Sequence, residues 1–183
     1  MHRSTALALL RRHLARPLDA HEADMARKII AFTEAHEDCF LRSCLEGHLT
    51  GSAWITDPGG TRTLLTHHRK LDKWLQLGGH ADGETVPLEV ALKEAREESG
   101  LTRIQVKDTE LFDVDSHWIP ERKGVPAHWH HDLRFWIIAD PAEPLVISDE
   151  SHDLAWVAVS EVASLNPEES MLRMVRKTQA ALA

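Results

Sequence analysis

The fold depends on the stretch Gly79–Leu101, whose sequence is G-H-A-D-G-E-T-V-P-L-E-V-A-L-K-E-A-R-E-E-S-G-L. Pro87 suits the first turn of a helix, where its missing N–H is not needed. Gly100 suits the residue that ends a helix, because glycine adopts the left-handed conformation found there. The stretch therefore predicts a helix of about three turns between these two residues.

Three glutamates lie inside the predicted helix. Glu94, Glu97 and Glu98 have the spacing i, i+3 and i+4, so their carboxylates project from one face. Like charges placed in this way repel one another by a few tenths of a kcal/mol per pair, roughly, on an isolated helix. A hard divalent cation among the carboxylates turns this repulsion into attraction. Mg²⁺ prefers such oxygen ligands and also accepts substrate phosphates. The helix face therefore indicates a metal site for a phosphorylated molecule, and the alternative is a solvated acidic face, which is common on helices.

The stretch resembles the Nudix signature, G-x5-E-x7-R-E-U-x-E-E-x-G-U, where U is aliphatic. The matching residues are Gly79, Glu94, Ala95, Glu97, Glu98, Gly100 and Leu101. Two positions depart from the signature: Thr85 stands at the first glutamate and Lys93 at the arginine. In the family these two positions mainly brace the loop–helix–loop, and Glu84 is placed to compensate in part for the first.

The resemblance implies an α/β fold, the Nudix-type α/β/α sandwich with a mixed sheet. It implies Mg²⁺ or Mn²⁺ bound by Glu94, Glu97 and Glu98, with the carbonyl of Gly79 as a further ligand. It also implies hydrolysis of a diphosphate linkage in a nucleoside diphosphate-X or a related small phosphorylated substrate. Glu97 and Glu98 are the strongest candidates for residues on which catalysis depends.

Length and composition limit the remaining possibilities. The chain has 183 residues, which suits one domain at residues 47–183 preceded by a helical extension at residues 1–46. A net charge of −8 disfavours a general nucleic-acid binder, which would carry a basic face. No apolar run reaches the roughly 18 residues of a membrane span. With two cysteines the expected compartment is the cytoplasm, and the extension is compatible with a homodimer.

Periodicity predicts the other elements. Helices are expected at residues 3–15 and after Asp19, which forms a capping pair with Glu22. A turn at 57–60 joins two strands, predicted at residues 53–55 and 62–66, and alternation predicts further strands. These further strands are expected at residues 74–77, 104–118, 128–139 and 154–159, followed by helices at 160–165 and 168–182.

Residues outside the signature supply candidates for the rest of the chemistry. Glu150, in an acidic loop before the last strand, is the candidate general base, although a solvated acidic turn explains the loop equally well. Arg134 lies on the polar face of a strand and is the best candidate for binding phosphate, because guanidinium groups bind phosphate through two hydrogen bonds. Arg69 and Lys73, before the signature, are further candidates for binding the substrate.

Four of the 13 histidines form a set that suggests a shared role. They are His80, His117, His128 and His130. One interpretation is a second metal site for Zn, Mn or Fe, which imidazole favours over Mg²⁺. Another is hydrogen bonding to phosphate or to a base, and a third is that the histidines only pack in the core or lie on the surface.

Two other functions compete with hydrolysis. Isopentenyl diphosphate isomerases share a Nudix-like fold and place Cys-Gly-His where this chain has Gly78-Gly79-His80, so the histidine matches and the catalytic cysteine does not. Some Nudix-like domains bind ligands without catalysis, usually after losing a metal-binding glutamate. This chain keeps all three glutamates, and only Thr85 and Lys93 favour a catalytically inactive binding module.

Overall fold

The computed structural model describes residues 2–122 and 124–182. In these residues it has five α-helices and eight β-strands. In chain order they are α1 (Ser4–Leu14), α2 (Ala20–Ala35), β1 (Gly47–Thr56), β2 (Arg62–His68), β3 (Lys73–Leu75), β4 (Leu77–His80), α3 (Pro87–Ser99), β5 (Ile104–Val106), β6 (Asp113–Ile119), β7 (His128–Ala139), β8 (Ser151–Ala158), a 3₁₀ turn (Val159–Glu161), α4 (Val162–Leu165) and α5 (Glu169–Ala180). Among the described residues, no helix combines the length and the apolar character that crossing a bilayer requires.

The chain forms two compact units, each assembled from separate segments. The first unit contains Met1–Ser52, Gly78–Ala91 and Thr109–Phe135. The second contains Ala53–Leu77, Leu92–Asp108 and Trp136–Ala183. Hydrogen bonding gives the strand order β3-β2-β1-β7-β5, while β4 pairs with β1, β6 with β7 and β8 with β2. β1, α3 and β7 therefore contribute residues to both units.

The N-terminal helices belong to the hydrophobic core of the first unit. Leu10 of α1 and Ile29 of α2 are fully buried in one cluster with Leu49 of β1 and Leu133 of β7. Burying a leucine or isoleucine side chain contributes about 1.5–3 kcal/mol. Removal of α1 and α2 would therefore expose the apolar face of these strands.

Polar contacts fix where α1 and α2 lie. The predicted cap at Asp19 is confirmed, because its Oδ1 accepts a hydrogen bond of 2.8 Å from the Glu22 N–H. The Glu22 carboxylate also reaches back to α1, where Oε1 lies 2.8 Å from Nε2 of His13, and both side chains are buried. Nδ1 of His13 lies 3.2 Å from the carbonyl oxygen of Leu111. This buried pair joins the two helices to each other and to the segment before β6.

The second unit is built around two buried tryptophans. Trp54 of β1 donates from Nε1 to Oγ1 of Thr178 in α5 over 2.8 Å, and Trp136 of β7 donates to Oγ1 of Thr56 over 2.8 Å. Each indole thus buries its ring and still satisfies its polar N–H. The predicted turn between β1 and β2 is also confirmed, since Asp57 accepts hydrogen bonds from the N–H groups of Thr61 and Arg62.

The continuous strand predicted at residues 104–118 is wrong: the structure has two separate strands. β5 pairs with residues 137–139 of β7, and β6 pairs with residues 128–134. The connection from β5 to β6 is six residues long, 107–112. On β7, only residues 135 and 136 separate the segment paired with β5 from the segment paired with β6. The polar sequence at 107–110 cannot follow β7 over so short a distance, and it forms an irregular connection instead.

β6 and β7 bring a group of charges together in the interior of the first unit. The guanidinium of Arg134, 1% exposed, contacts three carboxylates: Nε lies 2.8 Å from Asp132, Nη1 3.1 Å from Asp113 and Nη2 3.6 Å from Asp115. Asp132 also accepts hydrogen bonds from the hydroxyls of Thr50 and Ser52. Burial opposes ionisation, but Arg134 outweighs it and lowers the pKa of Asp132. The arginine is thus the positive charge that makes three buried carboxylates tolerable.

Replacing this arginine is expected to destabilise the first unit strongly. Arg134→Met should lower the free energy of unfolding by about 3–5 kcal/mol, because it leaves buried carboxylates without their counter-ion. Denaturant titration measures the loss. Arg27→Met removes an arginine from an exposed pair with Asp24 and should cost no more than about 1 kcal/mol. Equal losses in the two variants would contradict this role of Arg134.

Candidate functional site

Helix α3 carries the acidic face, and its ends are set by local contacts. Gly100 follows its last residue with φ +73°, and its N–H donates to the carbonyl of Arg96 over 2.8 Å. A Cβ at Gly100 would also lie 2.7 Å from Cβ of Val146. Before the helix, Oε1 of Glu84 accepts a hydrogen bond of 2.8 Å from the N–H of Val86. Glu84 thus stabilises the start of α3 although Thr85 occupies the signature position.

The first turns of α3 lie close against β1. A Cβ at Gly51 would lie 2.8 Å from the carbonyl oxygen of Pro87 and 2.8 Å from Cβ of Val90. Any larger residue at position 51 would push the helix away from the strand. The rotation of α3 about its axis is therefore fixed by packing, and with it the direction of the acidic face.

The three glutamates differ in their exposure. Glu98 is buried, the Glu94 side chain is 15% exposed, and Glu97 is exposed. Nζ of Lys93 lies 3.5 Å from Oε1 of Glu94 and 3.4 Å from Oε2 of Glu97. The lysine at the signature's arginine position is therefore a cation already in contact with the acidic face. The single positive charge of Lys93 compensates only part of the negative charge of the surrounding carboxylates.

The ionisation of Glu94 is disfavoured in this arrangement. Burial raises the pKa of Glu94, and the charges of Glu97 and Glu150 raise it further against the opposing effect of Lys93. The candidate base Glu150 thus lies close enough to α3 for its charge to act on the signature. A set of carboxylate oxygens with excess negative charge fits a hard divalent cation.

The two candidate cations near the signature are engaged by the protein. The backbone N–H of Arg69 donates to the carbonyl of Glu150 over 2.9 Å, and its guanidinium donates to the carbonyl of Ser151 over 2.8 Å. Arg69 therefore holds the loop that carries Glu150. Nζ of Lys73 pairs with the carboxylate of Glu168, and both side chains are exposed.

Arg134 lies where its guanidinium faces carboxylates. The sequence placed it correctly on the polar face of its strand, since Asp113 lies opposite it in register. Alternation along β7 does not reveal that Arg134 is buried on this face. A phosphate at Arg134 would have to compete with three carboxylates.

Three of the four predicted histidines converge in the first unit, and a fourth joins them that the sequence pattern does not single out. Nε2 of His130 lies 3.2 Å from Nε2 of His80 and 3.1 Å from Nε2 of His128. His48 of β1 completes the group, with its ring 4.7–4.9 Å from the other three. His117 of β6 lies opposite His130 in register, but its Nε2 accepts a hydrogen bond from Arg134 over 3.1 Å.

Burial dominates the protonation of this group. Burial, together with the smaller effect of neighbouring positive groups, lowers the pKa of His48 and of His80 to about 4. Burial and the adjacent imidazoles lower the pKa of His130 to about 2. The imidazoles of His48, His80 and His130 are therefore neutral at physiological pH and have lone pairs available. The sequence does not reveal His48 because its alternation starts the first strand only at residue 53, six residues after β1 begins.

Comparisons with known proteins agree on one family. A family model described as NUDIX domain matches residues 48–177. A relative named putative 8-oxo-dGTP diphosphatase 3, from Mycobacterium tuberculosis, is 34% identical over 121 residues, covering 59% of this chain and 50% of the relative. The chain thus spans about half the length of the curated relatives that it matches.

Solved structures share the fold at low sequence identity. An Ap4A hydrolase binary complex from C. elegans has a TM-score of 0.59 at 17% identity, covering 73% of this chain and 96% of that chain. A UDP-X diphosphatase has a TM-score of 0.54 at 15% identity, covering 97% of this chain and 92% of that chain. The second alignment is long enough to include helices α1 and α2.

The raised pKa of Glu94 predicts the effect of neutralising it. The folded protein holds this proton more tightly than the unfolded chain does, so its stability falls as pH rises from the ordinary carboxyl range through the raised pKa. At pH 7 in a chelator, Glu94→Gln should therefore raise the thermal midpoint. Added Mg²⁺ should raise the wild-type midpoint more than that of the variant.

The matched control is Glu89→Gln, which neutralises an exposed glutamate in the first turn of the same helix. It should not raise the midpoint in chelator, because a carboxylate in the first turn interacts favourably with the helix dipole, and it should leave the response to Mg²⁺ unchanged. A Glu94→Gln midpoint below that of the wild type in chelator would contradict the electrostatic assignment.

Proposed function

The chain belongs to the Nudix family, and we propose that it hydrolyses a pyrophosphate bond in a nucleoside diphosphate derivative with the help of a divalent cation. The resemblance noted in the sequence is confirmed, as is the fold: a mixed sheet with helices, preceded by N-terminal helices. The single observation that carries the proposal is the acidic face of α3, where the charges of Glu97 and Glu150 oppose the ionisation of Glu94.

The three glutamates are proposed to hold the cation. Mg²⁺ or Mn²⁺, when bound, neutralises the charge of the diphosphate and acidifies a bound water. The chain's own contribution is to place Glu94, Glu97 and Glu98 on one face of helix α3, whose rotation about its axis is fixed by packing. The carbonyl of Gly79, a ligand in the family, stays a prediction.

Glu150 is proposed as the general base. Its role is to take a proton from water as the water oxygen attacks a phosphorus atom and the bridging P–O bond breaks. The pKa effect of Glu150 on Glu94 supports this role, because it places the two charges in one electrostatic environment. Arg69 supports it too, since its two hydrogen bonds to residues 150 and 151 restrict the loop.

The proposed phosphate contacts are Arg69 and Lys73. Lys73 is exposed and its pairing with Glu168 is a surface contact, so a phosphate can replace that carboxylate at little cost. Arg69 has one guanidinium hydrogen bond to a carbonyl in the structure and retains donors for an anion. Arg134 is a weaker choice, because releasing it would leave buried carboxylates unpaired.

The relatives support a nucleotide as the substrate. The M. tuberculosis protein is named as a putative 8-oxo-dGTP diphosphatase, and the solved relatives as Ap4A hydrolase and UDP-X diphosphatase. All three names describe a nucleotide with linked phosphates. We propose that this chain acts on the same chemical class, as a cytoplasmic enzyme, with homodimer formation through the N-terminal helices as a further proposal.

Substrate hydrolysis by glutamate variants tests the proposal. The wild type should release phosphate or a nucleoside monophosphate from a member of a panel of nucleoside di- and triphosphate derivatives with Mg²⁺ or Mn²⁺. Glu97→Gln and Glu98→Gln should each lower kcat at least about 100-fold, since even the outer partners of metal ligands are worth about 10–100-fold. Glu89→Gln is the control and should keep full turnover.

The same panel separates the other two functions. Tight binding of one nucleotide without turnover would favour a binding module. Conversion of isopentenyl diphosphate to its isomer would favour the isomerase. Either result, or full turnover by Glu98→Gln, would contradict the proposed hydrolysis.

The role of the base is tested by the pH profile of one variant. Glu150→Gln should lower kcat by about 10²–10⁴-fold, the usual contribution of a positioned base, and should remove the acidic limb of the profile. Asp149→Asn neutralises the neighbouring exposed carboxylate and should leave both unchanged. Full turnover by Glu150→Gln would exclude this residue from the mechanism.

A further inference from the structure

Four histidines of the first unit point their rings at one another, on strands that are neighbours in the sheet. His48 lies on β1, His80 on β4, and His128 and His130 on β7. β4 pairs with β1, and β1 is next to β7 in the strand order. Ring centroids are 4.7–5.0 Å apart for the pairs 48–80, 48–128, 48–130, 80–130 and 128–130.

Hydrogen bonds between these rings cannot satisfy their nitrogens. Nδ1 of His128 lies 2.7 Å from the carbonyl oxygen of Pro126, which only accepts, so Nδ1 of His128 donates. In a neutral ring this leaves a lone pair on Nε2, directed at Nε2 of His130. Nε2 of His130 carries at most one hydrogen, yet it faces Nε2 of His80 as well as that of His128.

His48 adds a second, independent observation. Its side chain is buried, and neither of its ring nitrogens makes a hydrogen bond of normal geometry within the described residues, although the backbone of Cys44 contributes a weaker polar interaction. A buried polar atom without a partner costs about 1–3 kcal/mol. A neutral imidazole whose two nitrogens lack such hydrogen bonds, beside three other imidazoles, is therefore an unfavourable arrangement unless something else occupies the centre of the group.

The nitrogen spacing is also compatible with a shared metal ion. A tetrahedral Zn²⁺ with Zn–N bonds of about 2.0–2.1 Å requires its ligand nitrogens to be about 3.3–3.4 Å apart. The two Nε2–Nε2 separations in the structure are 3.1 and 3.2 Å. Ligand nitrogens of His48, His128 and His130 all lie within 4.8 Å of one another, so small side-chain movements complete the geometry.

We propose that His48, His80, His128 and His130 bind one zinc-class transition-metal ion, separate from the cation of the acidic face. Imidazole ligands favour Zn²⁺ over Mg²⁺. Four protein ligands fill a tetrahedral site, and closed sites of this kind are structural. The hydrogen bond from His128 to Pro126 is the outer contact that metal-binding histidines usually make. The ion would connect β1, β4 and β7. Its ligand on β4, His80, directly follows Gly79.

Metal analysis of protein purified without a histidine tag tests the site. After zinc loading and dialysis, the wild type should retain about one zinc per chain. His48→Gln and His130→Gln should each retain less than about a tenth of that amount. His152→Gln is the matched control, because it removes an exposed strand histidine on β8, away from the group, and it should retain zinc as the wild type does.

A spectroscopic measurement covers the case in which the variants fail to fold. Co²⁺ added to metal-free wild type should give the intense visible bands of a tetrahedral ion, with one equivalent at saturation, and zinc should displace them. Folded wild type that retains no zinc, or Co²⁺ spectra of octahedral type, would overturn the proposal. Zinc retention at the wild-type level by folded His48→Gln and His130→Gln would overturn it as well.

Discussion

Electrostatic repulsion within one turn of helix α3 is the constraint on which the site depends. Glu94, Glu97 and Glu98 project from the same face, and Glu94 is mostly buried there. The pKa of Glu94 is raised first by burial and then by the charges of Glu97 and Glu150, so its ionised form is disfavoured without a counter-ion. Packing offsets this cost: Gly51 lets the helix approach β1 closely, and Gly100 ends it in the left-handed conformation.

The two units of the chain deal with polar groups in three different ways. In the acidic cluster of β6 and β7, Arg134 contacts three carboxylates and lowers the pKa of Asp132. Three of the four clustered histidines lose their charge instead, since burial lowers their pKa values well below neutrality. The glutamates of α3 are only partly compensated, by Lys93. The proposed catalytic face differs from the buried cluster because the pKa of Glu94 is raised there, whereas the pKa of Asp132 is lowered.

Local sequence signals are enough to predict α3, the helix cap at Asp19 and the turn at residues 57–60, because each depends on residues adjacent in the chain. The positions that the sequence does not reveal depend on distant contacts. Alternation along β7 assigns Arg134 to the polar face, but Asp113 and Asp115, which lie beside it on that face, come from the neighbouring strand β6. His48 escapes prediction for a similar reason, since the early start of β1 is set by pairing. The break between β5 and β6 likewise follows from their separate registers with β7.

A crystal soaked with Mn²⁺ tests the proposed cation site most directly, since manganese can be located by its anomalous scattering. We expect a strong anomalous peak on the acidic face of α3, within coordination distance of carboxylate oxygens from at least two of Glu94, Glu97 and Glu98, with Lys93 displaced. Carboxylates that turn away from one another, with Lys93 in its original contacts and no peak between them, would contradict the proposed site.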